Sequence, residues 1–93
     1  MEIRWARSAT RHRISRTRSE HVVRNPTVTI VQPAPGDSAH QDDRIVYLGT
    51  DSDGALLEVM AVETDAGLVI VHAMPIRDRY RKYLEAEGDE DDA

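Results

Sequence analysis

Apolar and polar residues are arranged along the chain in a way that separates strand-like runs from helical segments. Four runs rich in β-branched and other apolar residues are TVTIVQ (27–32), RIVYLGT (44–50), ALLEVMAVET (55–64) and GLVIVHAM (67–74). Short runs of this composition, bounded by turn residues, predict β-strands. DSDG and DAG separate the last three runs, and Asp-Gly between apolar runs is a strong hairpin signal. The second half of the chain is therefore predicted to form an antiparallel meander.

The predicted helices lie near the two ends of the chain. The opening MEIRW predicts a short edge strand, and an arginine-rich turn or helix follows over 6–13. Ser15 is a candidate N-cap for a helix that runs to about Arg24, where Asn-Pro ends it. Pro75 is predicted to open the C-terminal helix, because its missing amide hydrogen costs little in a first turn. The apolar stripe of that helix, which we expect to pack on the sheet, is Ile76, Tyr80, Tyr83 and Leu84.

Together these elements predict a single α+β domain over 1–86. It has N-terminal helices, an antiparallel sheet of about four strands and a C-terminal helix. A chain of 93 residues has room for one modest hydrophobic core. The segment 33–43 is a predicted loop, because it is rich in Pro, Asp, Gly and Ser. The tail 87–93 is predicted to be disordered, because it is too acidic to bury apolar surface.

Charge is distributed unevenly along the chain. The formal net charge is −5, yet residues 1–26 contain seven arginines and only two glutamates. All cationic residues except Lys82 are arginines, whose planar guanidinium groups bind phosphate or carboxylate through two parallel hydrogen bonds. The residues expected to bind nucleic acid or a partner protein are Arg7, Arg11, Arg13, Arg16, Arg79 and Lys82. The pattern fits RNA and an acidic protein equally well.

Several locations and chemistries are disfavoured. The chain has no cysteine, which excludes disulfides and thiolate chemistry and is typical of a reducing compartment. Its longest apolar run is too short to span a membrane, and no secretory signal is evident. The histidines, at positions 12, 21, 40 and 72, match no zinc-ligand spacing. We therefore expect a cytoplasmic protein with no membrane association, no metal and no cofactor.

His72 and the helix that follows it form the leading candidate site. His72 lies near the end of a predicted core strand, and Arg77 and Arg81 lie four residues apart on the next helix. Imidazole transfers protons near neutral pH, and guanidinium groups stabilise charge on a phosphoryl oxygen. This combination favours phosphate chemistry. In the structural alternative, His72 is a hydrogen-bonded residue at the edge of the core and the arginines pair with nearby acids. Both interpretations stay open.

A series of short motifs follows along the chain: an early tryptophan, RHRIS at 11–15, a helix closed by Asn-Pro, DRIVYLG, then DG and LLEV, and finally VIVHAMPIRDRYRKYL at 69–84. In this order they resemble the BrnT-type toxins of bacterial type II toxin-antitoxin modules. Those toxins show a KHGIS-like step, a strand opened by arginine, a DG hairpin and an ISAR strand before a helix rich in Arg, Glu and Tyr. The resemblance covers most of residues 1–84.

The resemblance implies a RelE-like fold, mRNA as the substrate on or off the ribosome, and a cognate antitoxin as partner, in a homo-oligomer or a hetero-oligomer. Arg11 and His12 fall on the basic pair of the KHGIS-like step. Arg44 falls on the arginine that opens the central strand, and Arg81 falls on an arginine of the closing helix. The implied catalytic set, which needs no metal, is His72, Arg77, Arg81, Arg44 and His12.

Departures from the family pattern separate two hypotheses. Met74 stands where the ISAR strand has its arginine, and His72 stands in place of its serine. The first hypothesis is a toxin that acts as a metal-independent ribonuclease. The second is a non-catalytic module of the same fold that binds a partner protein or nucleic acid, and Met74 favours it.

Overall fold

The computed structural model describes residues 2–33 and 43–89, with side chains described as far as residue 85. The strands are β1 (Ile3–Trp5), β2 (Val28–Gln32), β3 (Arg44–Thr50), β4 (Leu56–Thr64) and β5 (Gly67–Pro75). The helices are a short 3-10 helix (Arg7–Thr10), α1 (Arg16–Arg24) and α2 (Asp78–Asp89). The predicted loop falls almost wholly outside the described residues, as do residues 90–93 of the predicted tail.

The five strands form one mixed sheet in the order β1-β5-β4-β3-β2. The strands β2 to β5 make the predicted antiparallel meander, whereas β1 pairs with β5 in parallel, with Ile3 opposite Leu68. The expectation of about four antiparallel strands is therefore wrong in number and in the direction of one strand. Local patterns cannot reveal this pairing, because it joins segments more than sixty residues apart in the chain.

The N-terminal end of α1 agrees with its sequence prediction, whereas that of α2 does not. Ser15 caps α1, and its hydroxyl accepts a hydrogen bond of 3.2 Å from the Arg18 amide. Pro75 does not open α2: it ends β5, and the helix begins at Asp78. The reason is that the next amide, that of Ile76, donates to the Leu56 carbonyl, so the chain stays bound to β4 beyond the proline.

The sheet has a hydrophobic cluster on each face. On the face covered by α1, termed the α1 face, the cluster includes Val22, Leu57, Val59, Leu68 and Ile70. On the opposite face, termed the α2 face, it includes Val46, Leu48, Met60, Ile76 and Tyr80, with Leu84 packed against it. Tyr83 departs from the predicted stripe, because its side chain is exposed. The sheet is thus buried on both faces along residues 57–61 of β4, which places a polar side chain in that part of the strand in an apolar environment.

Asp51 joins α1 to the turn between β3 and β4. Its buried carboxylate accepts hydrogen bonds from the amides of Asp53 and Ala55 and from Nε of Arg18, at 2.6 Å. Burial raises the pKa of Asp51, but these hydrogen bonds and the charge of Arg18 outweigh burial and hold the pKa below its ordinary value. The DSDG turn is therefore stabilised by tertiary contacts as well as by its local sequence.

We expect Asp51→Asn to lower the free energy of unfolding by about 1–3 kcal/mol, because the change removes the charge from a buried, charge-assisted hydrogen bond. Asp53→Asn is the matched control. Its side chain is 75% exposed and lies 3.9 Å from Arg18, so the effect should be small. Urea unfolding of both variants, followed by circular dichroism, makes the comparison. Equal losses of unfolding free energy in the two variants would contradict the stabilising role of the Asp51 carboxylate.

Candidate functional site

Glu58 lies at the centre of the candidate site and was missed by the sequence analysis. It is the third residue of β4, lies between Leu48 of β3 and Met74 of β5, and is fully buried. It shares the α2 face with apolar side chains. A carboxylate in that position requires several hydrogen-bond donors, because burying an unpaired charge costs far more free energy than the packing of one strand contributes. The available signal was a single acidic residue inside the apolar run LLEVMAV.

Arg77 supplies most of those donors. Its backbone amide donates to Oε1 of Glu58 at 2.8 Å, while Nε and Nη2 of its guanidinium group donate to Oε2 at 2.9 and 2.6 Å. His72 completes the set, with Nε2 at 3.1 Å from Oε2. Both carboxylate oxygens are therefore occupied. The predicted proximity of His72 and Arg77 holds, but a carboxylate that was not predicted joins them.

A β-bulge brings His72 to this face of the sheet. Met60 lies opposite His72, but Ala61 lies opposite Ile70, so Val71 has no opposing residue in the ladder. Side chains of a regular strand alternate between the two faces of the sheet. With Ile70 on the α1 face, His72, two residues later, would also lie on the α1 face. The extra residue reverses the alternation, so His72 lies on the α2 face with Glu58. The sequence carries no signal for this shift, because the run 67–75 is equally compatible with a regular strand.

The N-terminal segment adds a second imidazole. The rings of His12 and His72 lie edge to face, with centroids 5.6 Å apart and an angle of 67° between their planes. Hydrogen bonds hold this segment against β5: the Ala6 amide donates to the Ile70 carbonyl at 2.8 Å, and the Ser8 hydroxyl donates to the Val71 carbonyl at 2.6 Å. Two of the predicted proton-transfer residues are therefore neighbours, although sixty positions separate them in the chain.

The charges of the site are determined by competition between burial and hydrogen bonding. Burial raises the pKa of Glu58, but the hydrogen bonds and charge of Arg77 and the hydrogen bond with His72 outweigh burial and hold the pKa below its ordinary 4.5. Burial, assisted by the charges of Arg77 and His12, lowers the pKa of His72 below 6.5 despite the opposing effect of Glu58. The hydrogen bond to Glu58 raises the pKa of Arg77. At neutral pH the site thus holds an ion pair and a neutral imidazole.

The free energy of unfolding is expected to fall as the solution is acidified. Glu58 and Asp51 have lowered pKa values in the folded state, so their stabilisation is present above the ordinary values of 4.5 and 3.8 and is lost as the pH falls through the folded-state values. His72 adds a further loss of stability as the pH falls below 6.5, because its folded-state pKa is also lowered. Urea unfolding between about pH 3 and 7 measures the effect. Constant stability over this range would contradict it.

Arg44 and Arg81 lie apart from the Glu58 cluster. Arg44 begins β3, four residues from Leu48, the β3 neighbour of Glu58, and it is exposed. Arg81 lies on α2, where its Nε is 3.4 Å from Oδ1 of Asp78. The structure therefore brings together His72, Arg77 and His12, whereas among the described residues neither Arg44 nor Arg81 has a hydrogen bond or ion pair with them.

The basic residues proposed for binding lie on exposed parts of two segments. Those of the N-terminal segment are Arg7, Arg11, Arg13 and Arg16, and those of α2 are Arg79 and Lys82. Several pack on aromatic rings: Arg16 lies over Trp5, Arg79 over Tyr80 and Lys82 over Tyr83, at 5.2 to 5.5 Å from the ring centroids. Arg13 has a φ of 64°, which places it in the left-handed region that favours glycine. The sharp turn there leads the chain from His12 into α1.

The described residues contain no group of three or more His, Asp or Glu side chains placed to hold a metal ion. His40, the histidine nearest to several aspartates in the sequence, lies outside those residues. In the same part of the chain, no helix is long and apolar enough to cross a membrane.

Comparison with protein-family models finds no match for this chain, and comparisons with curated proteins and with solved structures find no significant match. What the site can do chemically is therefore inferred from its geometry alone. That geometry consists of a neutral imidazole held by a buried carboxylate, an arginine whose side chain is 39% exposed, and a second imidazole in contact with the first. Such a set can bind an anion and move protons at its edge.

Proposed function

We propose that this protein is a metal-independent endoribonuclease that acts on mRNA, the toxin of a toxin-antitoxin module with a RelE-like arrangement of its sheet and helices. The observation that carries the proposal is the cluster formed by His72 and Arg77 on the buried carboxylate of Glu58, with His12 in contact with His72. Two imidazoles and a guanidinium group can fill the roles that RNA cleavage without a metal requires, because one group can accept a proton, one can donate a proton and one can stabilise the phosphate.

In the proposed reaction His72, which is neutral, takes the proton from the 2′-hydroxyl of the substrate. The 2′-oxygen attacks the adjacent phosphorus while the bond from phosphorus to the 5′-oxygen breaks. His12 gives a proton to the departing 5′-oxygen. The part of Arg77 that remains accessible stabilises the charge on the phosphoryl oxygens. The products are a 2′,3′-cyclic phosphate and a 5′-hydroxyl end.

The test is incubation of the purified protein with single-stranded RNA in EDTA, with the ends of the products identified by mass spectrometry. We expect cleavage that survives chelation and yields 2′,3′-cyclic phosphate ends. In a bacterial host, induced expression should arrest growth and leave new ends in mRNA. Intact RNA at micromolar protein, together with normal growth at good yield of folded protein, would contradict the proposal.

The second candidate function is binding of RNA or an antitoxin without catalysis. It is favoured by the engagement of Arg77 with Glu58, which neutralises much of its charge, and by Met74 beside Glu58 where the resembled motif has arginine. On this hypothesis the exposed arginines of the N-terminal segment bind phosphates or carboxylates. RNA binding that weakens steeply with salt, with no cyclic phosphate product, selects this candidate, whereas salt dependence alone does not distinguish the two.

A further inference from the structure

We propose that Glu58 is a positioning residue that fixes His72 with its proton on Nε2 and so makes Nδ1 the basic atom of the site. The inference deepens the proposed function by naming which atom accepts the substrate proton, and only its kinetic test rests on that function. Glu58 itself has no exposed surface, so it does not touch a substrate. It acts through the orientation of His72.

The assignment of the proton follows from the groups that surround the carboxylate. Oε1 of Glu58 accepts the backbone amide of Arg77, and Oε2 accepts two hydrogen bonds from the guanidinium group. Neither an amide N–H nor a guanidinium N–H can accept a proton in return. Oε2 is therefore an acceptor in every contact, and the Nε2 atom of His72, 3.1 Å away, must be a donor. A neutral imidazole that donates from Nε2 carries its lone pair on Nδ1.

The surroundings leave Nδ1 able to react. Among the described residues, Nε2 is the ring nitrogen of His72 with a hydrogen-bond partner. The side chain is 21% exposed, which admits a substrate hydroxyl, whereas Glu58 behind it is sealed from solvent. A free imidazole exchanges between two tautomers and many orientations. One held by a buried carboxylate presents the same basic nitrogen at all times, which is the advantage of a positioned base.

Nitrogen NMR of histidine-labelled protein tests the proposal directly, because long-range proton–nitrogen correlations identify the protonated ring nitrogen. The wild-type protein above pH 7 should show His72 as the Nε2–H tautomer. In Glu58→Gln, a substantial fraction of the His72 rings should change to the Nδ1–H tautomer. The reason is that the side-chain amide offers one acceptor oxygen, whereas the carboxylate offers two. Finding the Nδ1–H form in the wild type overturns the proposal, and this arm needs no folded variant.

Kinetics provides the second arm. In Glu58→Gln we expect kcat for RNA cleavage to fall by about tenfold or more while KM changes by less than about twofold, as for other bases that lose their orienting carboxylate. Asp51→Asn is the matched control, because it neutralises the other buried carboxylate paired with an arginine. It should change neither the tautomer of His72 nor kcat. A loss of kcat as large in Asp51→Asn would overturn the positioning role.

The two proposals fail in distinguishable ways. A wild-type protein that does not cleave RNA but shows the Nε2–H tautomer, shifted by Glu58→Gln, supports the positioning role and overturns the ribonuclease. A wild-type protein that cleaves RNA with His72 in the Nδ1–H form supports the ribonuclease and overturns the positioning role.

Discussion

Arg77→Ala is expected to lower the free energy of unfolding by about 3–5 kcal/mol, because the change leaves a buried carboxylate without its main counter-charge. Glu58 would keep the backbone amide of residue 77 and the contact with His72, but would lose both guanidinium hydrogen bonds. The loss should shrink as the solution is acidified, because burial raises the pKa of Glu58 once Arg77 is removed, and the carboxyl then becomes protonated at a higher pH than in the wild type. Urea unfolding at pH 7 and at about pH 4 measures both effects.

Two further variants isolate the cause of that loss. Adding Glu58→Gln to Arg77→Ala should recover part of the stability, because the penalty comes from an uncompensated buried charge. Arg81→Ala is the matched control on the same helix: its side chain is 51% exposed and pairs with a fully exposed Asp78, so the change should be within about 0.5 kcal/mol. If Arg77→Ala were as stable as the wild type, the carboxylate would not depend on Arg77. A loss of activity in Arg77→Ala therefore has to be corrected for unfolding before it is assigned to catalysis.

His72→Ala is expected to reduce RNA cleavage by about 10²- to 10⁴-fold, the range typical of the loss of a general acid or base. The folded structure should survive, because the imidazole contributes one hydrogen bond to Glu58 whereas Arg77 contributes three. We expect a stability change of about 1 kcal/mol. Single-turnover cleavage of a labelled RNA, at protein concentrations above the binding midpoint, separates this loss from weaker binding.

The control for that prediction is His21→Ala, which removes an imidazole on α1 outside the Glu58 cluster. Its cleavage rate should match that of the wild type. The pH dependence adds a second criterion. Because burial lowers the pKa of His72, its basic form still predominates at pH 6.5, and cleavage by the wild type should decline only at more acidic pH, as the lowered pKa is passed. Unchanged cleavage by His72→Ala would remove His72 from the reaction and favour the binding module.

Much of the local structure was predictable. The meander from β3 to β5 follows from apolar runs interrupted by DSDG and DAG, and β3 has the predicted bounds of 44–50. The N-cap at Ser15 was predictable because its determinants lie within three residues of one another. The proximity of His72 and Arg77 could also be inferred, because only five positions separate them. The C-terminal helix forms as predicted, but its predicted start at Pro75 is wrong, since hydrogen bonds to β4 hold residues 76 and 77 outside α2.

Local residue patterns were enough to define which segments become strands and helices, because hydrophobic periodicity, caps and turns act over a few residues. The sequence also predicted arginines and histidines as the residues of the candidate site. Only the tertiary structure decided the parallel pairing of β1, the bulge that turns His72 to the α2 face, and the burial of Glu58 among its donors. Each of these depends on contacts between distant segments. Their energy comes from burial and from complementary charge, which are established only when the sheet and its two helical layers assemble.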